Sequence, residues 1–340
     1  MSNDFVPYPM LLSVAVRRYA FGARRIPEQL GKAGLDDGVV AETWEVSDHA
    51  DEPATVRNGT YAGWSRGDLI QRYPDEMVRP GWRGAHLPLL VKLLDASHAL
   101  PVHVHPDDAV AARRYGEPNG KDEAWHVLWA APDAHVSVGV RAGVGRDALR
   151  AALLAGEAAS VMRRHRVRAG DTVDVPAGVL HSFGPDMAIL EVQQTSDLAE
   201  HAMPHDLYGR ALDRSVWEAN VDATLDLLTS EATPRPHSGT VVHDDDDSQR
   251  VEGCRNARFV LERWTLRRPL SRRFGEGGFA TLTNLGAPLQ VVSEAGTVVI
   301  DRAASCLLSA ALGTVELRPD GETDVVVCFE GAFDAATAPD

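Results

Sequence analysis

Apolar and polar residues along this 340-residue chain come in short runs punctuated by glycine and proline, and few stretches keep a helical period. Residues 39–46, bounded by Gly38 and Ser47-Asp48, are predicted as a strand. Residues 88–94 are almost continuously apolar, as in a strand buried on both faces, which leaves Lys92 in need of a partner or an open cavity. In residues 101–108, Pro-Val-His-Val-His-Pro-Asp-Asp, strand alternation puts His103 and His105 on one face and Val102 and Val104 on the other. Further strands are predicted at 123–130, 135–140, 166–168, 172–175 and 188–193, and in the last third at 259–261, 289–292, 297–300 and 324–329. Trp125 and Trp129 are expected to share a strand face and to pack in the core.

Helical patterns are few. One starts at Ser65 and stops at Pro74, and a short alanine-rich one covers 107–115. Residues 146–154 carry Ala148, Leu149, Ala152 and Leu153 at helical spacing. Residues 215–228 begin with a Ser215-x-x-Glu218 capping box and put Val221, Leu225 and Leu228 on one face. Many short strands with Gly/Pro turns and a few inserted helices predict an all-β chain of sandwich or jelly-roll type, not a doubly wound sheet. No Gly-x-Gly-x-x-Gly and no phosphate-cradling loop pattern occurs.

Composition adds boundaries and exclusions. Residues 233–239, with two prolines and a glycine, and the acidic run 244–248 place a linker or surface loop at 231–250, between a first unit at 1–230 and a second at 251–335; residues 335–340 are expected to form a frayed tail. A formal net charge of −15 argues against nucleic acid and anionic membranes as partners, but not against a small anionic substrate. Cys254, Cys306 and Cys328 form no Cys-x-x-Cys pair, so neither a thiolate zinc site nor a disulfide framework is expected. The N-terminus has no basic signal-like region and residues 10–16 are too short an apolar run to span a bilayer, so a cytoplasmic enzyme is expected.

His103 and His105 make half of a metal site. Glu123, at the start of the next strand, and His181, at the end of Gly170-x5-Pro176-x-Gly178-x-x-His181, are the candidates to complete it. This order of His-x-His, Glu and Gly-x5-Pro-x-Gly-x-x-His is similar to the two metal motifs of the cupin superfamily of jelly-roll barrels. The long gap between His105 and Glu123 resembles the type I mannose-6-phosphate isomerase family, as do residues 87–96, 176–181 and 191–197. Weaker echoes lie at 42–47 and 254–259. The resemblance implies tandem cupin domains: a metal-binding one with a helical insertion in 1–230, and a degenerate, metal-free one in 251–335, where no histidine follows His243. It implies one zinc per chain held by His103, His105, Glu123 and His181. The family usually has glutamine where His103 stands, and three imidazoles with a carboxylate also suit Fe(II), Mn(II), Co(II) or Ni(II).

Lys121 lies two residues before Glu123 and would share its face in an extended segment; the resemblance makes it a substrate-contacting or catalytic group. Lys92 fits a structural role as well as a catalytic one. Lys121, Glu191 and His201 are the candidates, unranked, for the proton carrier. The family places Tyr-Arg shortly after its Ser-Asp, whereas Ser196-Asp197-Leu198-Ala199-Glu200-His201 puts His201 at the arginine's place. Arg210 is the preferred phosphate contact, since a guanidinium binds phosphate in bidentate fashion. His126, His135 and His165 are read as core or surface residues, and a His201–His205 metal pair lacks a completing carboxylate. The activity implied by the resemblance is interconversion of mannose 6-phosphate and fructose 6-phosphate through a cis-enediol, by a monomer or homodimer. An Fe(II) cupin oxygenase on the same ligands and a non-catalytic sugar-phosphate-binding relative are the alternatives.

Overall fold

The strand Leu89–Ala96 is buried at every position because it lies inside a sheet that is itself covered on both faces. The computed structural model describes residues 5–275 and 277–331, and the expected tail at 335–340 lies outside them. Four antiparallel sheets stack with three apolar seams between them.

The outermost sheet of the N-terminal half runs Glu200–His201, His103–Val104, His181–Phe183, His135–Val140, Met162–Arg166. It faces a six-stranded sheet, Ala15–Arg17, Glu42–Val46, Leu89–Ala96, Met187–Gln194, Glu123–Ala130, Thr172–Val175, across a core that includes Trp125, Val127, Val136, Val138, Phe183 and Ile189. The other face of this six-stranded sheet packs Val91, Leu93, Leu190 and Val192 against Phe259, Leu261, Val326 and Cys328 of a seven-stranded sheet. A four-stranded sheet closes the stack over Trp264, Leu282 and Val327. The helices Arg146–Leu154 and Arg214–Asp226 cover the outer side of the first sheet, where Leu149, Leu153, Val221 and Leu225 meet Val102 and Leu180. The result is the all-β fold with few helices that the patterning predicts, and it is cupin-like, as the resemblance implies. Among the described residues no helix is long and apolar enough to cross a membrane.

Phe259 is fully buried in the seam between the six- and seven-stranded sheets. Phe259→Ala is expected to cost about 3–5 kcal/mol of stability, read as a lowered urea midpoint at unchanged slope.

Three local expectations are corrected. Residues 231–250 are not all loop: Thr240–Asp244 is the edge strand of the seven-stranded sheet and pairs with Ser248–Arg255. The acidic run is its hairpin turn, where Asp245 Oδ1 accepts the Asp247 and Ser248 amides, so the carboxylates order the turn instead of solvating a linker. Trp125 and Trp129 do not share a face. A bulge opposite Ala188 and Ile189 shifts the alternation, so Trp125 enters the first sandwich core while Trp129 packs on the other side, under Arg25. The helix expected from Ser215 starts at Arg214 with Asp213 as its N-cap residue; Glu218 pairs with Arg214 at 2.7 Å and not with the Ser215 backbone.

Candidate metal centre and catalytic cavity

Strand pairing assembles the histidines. His103 lies directly opposite His181 on one side and His201 on the other, and cross-strand partners present their side chains on the same face. His105, two residues on, shares that face, while Glu123 reaches in from the facing six-stranded sheet. Gly178 in the preceding turn adopts φ +80, and its amide donates to the His105 carbonyl, joining the two histidine segments.

Each imidazole is oriented from behind. His103 Nδ1 lies 2.7 Å from the Pro101 carbonyl oxygen, His105 Nδ1 2.7 Å from that of Leu198, and His181 Nδ1 2.8 Å from that of Val179. A carbonyl only accepts, so Nδ1 carries the proton and each Nε2 turns its lone pair inward. The three ligand atoms lie within 4.8 Å of one another, and His103 Nε2 and His181 Nε2 are 2.9 Å apart. His105 Nε2 is buried without a hydrogen-bond partner. Burial, with Lys121 adding to it, pushes the His105 pKa down to about 3; burial and the neighbouring imidazoles hold His103 well below the usual value. Glu123 Oε1 lies 3.2 Å from His181 Nε2, and Oε2 lies 3.3 Å from His105 Nε2 and 2.9 Å from Lys121 Nζ. Burial opposes its ionisation, but Lys121, His105 and His181 outweigh burial and keep it a carboxylate. Neutral imidazole lone pairs facing one another beside a buried carboxylate are a donor set that fits a divalent transition-metal ion.

A second group of charges lines the same cavity. Lys92 faces Glu191 in register, and its Nζ lies 3.4 Å from Asp197, 3.6 Å from Glu191 and 3.7 Å from Glu42, over the Trp44 ring. Lys121 Nζ is 3.6 Å from Glu191 Oε1. Burial works against both ammonium groups, but Glu42, Asp197 and Glu191 raise Lys92, and Glu123 and Glu191 raise Lys121, so both stay charged. Burial pushes Glu191 up to about 7, with Glu123 adding to the rise and the two lysines opposing it. His201 stacks on His103 with ring centroids 5.4 Å apart, and burial takes its pKa to about 4, leaving it neutral at pH 7.

The structure thus brings His103, His105, Glu123, His181, Lys121, Glu191 and His201 together. Arg210 is not among them. It sits on an exposed turn with Nε 2.6 Å from Asp206 Oδ2, and the same carboxylate accepts the Tyr208 and Arg210 amides. The turn is built around Asp206, which keeps the guanidinium out of the cavity. His205 places Nδ1 near the Asp206 carbonyl and shares no ligand cluster with His201. Glu42, Asp197 and Tyr19 line the cavity without having been singled out as site residues. A signal for Glu42 was present: Glu42-x-Trp44 repeats Glu123-x-Trp125, and in both the indole N–H donates to the carboxylate two residues earlier, at 2.8 and 2.9 Å.

The loop carrying Lys121 is held by the C-terminal half. Arg258 reaches Asp108 at 2.5 Å and Asp122 at 3.7 Å, and Gln194 bridges the Asp122 amide and Asp108. Gly120 is required there, since a Cβ would stand 2.4 Å from the Pro106 carbonyl oxygen. Arg258→Ala is expected to loosen this loop, read as faster amide hydrogen exchange at Lys121 and Asp122 than in the unsubstituted chain.

Fold and site define a cupin-like β protein with a three-histidine group able to hold a metal ion. Residues 10–130 match the family described as phosphomannose isomerase type I, catalytic domain. The mannose-6-phosphate isomerase of Streptococcus mutans is 31% identical over 231 residues, which span 66% of this chain and 71% of that protein. The Bacillus subtilis mannose-6-phosphate isomerase ManA is 28% identical over 226 residues, 66% and 70% of the two chains. The crystal structure of a mannose 6-phosphate isomerase from Bacillus subtilis superimposes with a TM-score of 0.81 at 21% identity, over 94% of this chain and 99% of that one. The chain belongs to the type I mannose-6-phosphate isomerase family.

Proposed function

We propose that this chain is a zinc-dependent aldose–ketose isomerase that interconverts mannose 6-phosphate and fructose 6-phosphate. The observation that carries the reading is the convergence of three inward Nε2 lone pairs and Glu123 with Lys92, Lys121 and Glu191 in one buried cavity. His103, His105, His181 and Glu123 would hold the metal, which when bound would supply Lewis-acid polarisation of the sugar's carbonyl.

The remaining chemistry belongs to the side chains. Isomerisation removes a proton from C2 of the aldose and returns one to C1, while a proton passes from O2 to O1, through a cis-enediol. Glu191, whose Oε1 has no hydrogen-bond partner and whose proton affinity lies near neutrality, takes the carbon proton and returns it to the adjacent carbon. Lys121 and Lys92 stay cationic beside it and offset the negative charge that develops on the sugar oxygens. Neutral His201 offers its imidazole to a substrate hydroxyl, and Glu42 and Asp197 anchor Lys92. Arg210, tied to Asp206 outside the cavity, has no part in this scheme. Kinship with named isomerases and the two-lysine wall favour this reading over an Fe(II) oxygenase or a non-catalytic relative.

A coupled assay on mannose 6-phosphate tests it: turnover should disappear on chelation and return with zinc. Oxygen uptake with iron, and no interconversion with zinc, would overturn the proposal. Lys121→Ala should retain metal while lowering kcat roughly 10²-fold, the loss typical of removing one donor to a developing oxyanion.

A further inference from the structure

A second cavity, of about 410 Å³, opens at the seam between the six- and seven-stranded sheets, within the size range of small-molecule sites. Its floor includes His126, which alternates with Glu123 and Trp125 and so lies on the opposite face of the strand that carries a candidate metal ligand. From the C-terminal half come Arg263, which is half-buried, and Arg302, which is exposed. Neither guanidinium has an ion-pair or side-chain hydrogen-bond partner among the described residues. A shortage of carboxylates does not explain this, since the chain has 49 acidic residues against 34 basic ones.

The acidic groups of the lining are already engaged. Glu322 lies 3.6 Å from Arg267, and Asp324 accepts the Thr265 hydroxyl at 2.5 Å. His126 Nδ1 is 3.1 Å from Thr172 Oγ1, and no hydrogen bond to its Nε2 is made among the described residues. Two unpaired guanidiniums, a carboxylate with spare acceptor capacity, a free imidazole nitrogen and an apolar wall at Leu285 therefore meet in one recess. Guanidinium forks match phosphate oxygens.

We propose that this seam cavity is a second binding site, separate from the catalytic one, for a phosphate monoester of a small polyol. The phosphate binds Arg263 and Arg302, and the polyol hydroxyls bind Asp324 and His126. The ligand bridges both sandwiches and touches the reverse side of the strand bearing Glu123, so occupancy acts on turnover without competing for the catalytic cavity.

Calorimetric titration of the metal-loaded chain with ribose 5-phosphate tests the site. Arg302 is exposed and unpaired, so Arg302→Glu should fold normally and leave mannose 6-phosphate turnover intact. It should weaken ribose 5-phosphate binding at least about 10-fold. Leu285→Trp, which fills the recess, should do the same. Unchanged affinity in both variants, purely competitive inhibition of turnover, or equal affinity for inorganic phosphate would overturn the proposal. Arg302-dependent binding by a chain that does not isomerise mannose 6-phosphate would sink only the isomerase reading and leave this site standing.

Discussion

His181→Ala is expected to release the metal and abolish isomerisation, with less than 1% of turnover left at saturating substrate on the scale of losing a metal's Lewis acidity, roughly 10²-fold or more. His181 is fully buried, directly opposite His103, with Nε2 within hydrogen-bonding range of both His103 Nε2 and Glu123 Oε1. Truncation removes one of three imidazole donors, while His103 and His105 keep the Pro101 and Leu198 carbonyls that orient them. Elemental analysis after gel filtration reads the outcome directly. Stoichiometric metal in the variant would remove His181 from the ligand set.

Glu191→Gln should lower kcat about 10²–10⁴-fold while leaving metal content unchanged, because Glu191 is proposed to carry the proton and not the metal. The pH profile separates this from a packing defect. Burial raises Glu191 to about 7, so the fraction of working carboxylate rises as pH climbs through that value. Wild-type kcat should therefore show an ascending limb near pH 7, and residual turnover in the glutamine variant should lack it. A variant that keeps the limb would assign it to another group. Glutamine keeps the shape of Glu191 but not its charge; Asp197 and Glu42 still face Lys92 and Glu123 still faces Lys121, so both lysines should remain in place.

The apolar run at Leu89–Ala96 and the histidine alternation at His103 and His105 were legible because each depends only on local spacing. Glu123 and His181 needed a motif, since one comes from the facing sheet and the other from the neighbouring strand. The second wall was harder. Glu42, Lys92 and Asp197 lie on three distant segments, and only register across the six-stranded sheet brings Glu42 and Glu191 to either side of Lys92. Arg210 shows the converse. Its charge was visible, but Asp206, four residues earlier, competes for it, and nothing in composition says which partner a guanidinium will face. Trp129 was misassigned because a single bulge residue reverses the alternation on which the reading relied.

Facing lone pairs 2.9 Å apart at His103 and His181 have a mechanical consequence. The histidines belong to one sheet of the first sandwich and Glu123 to the other, so a cation held by the proposed ligands would rivet the two layers together. The protein's own links across the layers at this point are the contacts of Glu123 with His181 and His105, at 3.2 and 3.3 Å. Ion affinity and the fit of the two layers are then linked, and weakening the layers' packing at Phe183 should also weaken ion binding, by less than the loss of a ligand.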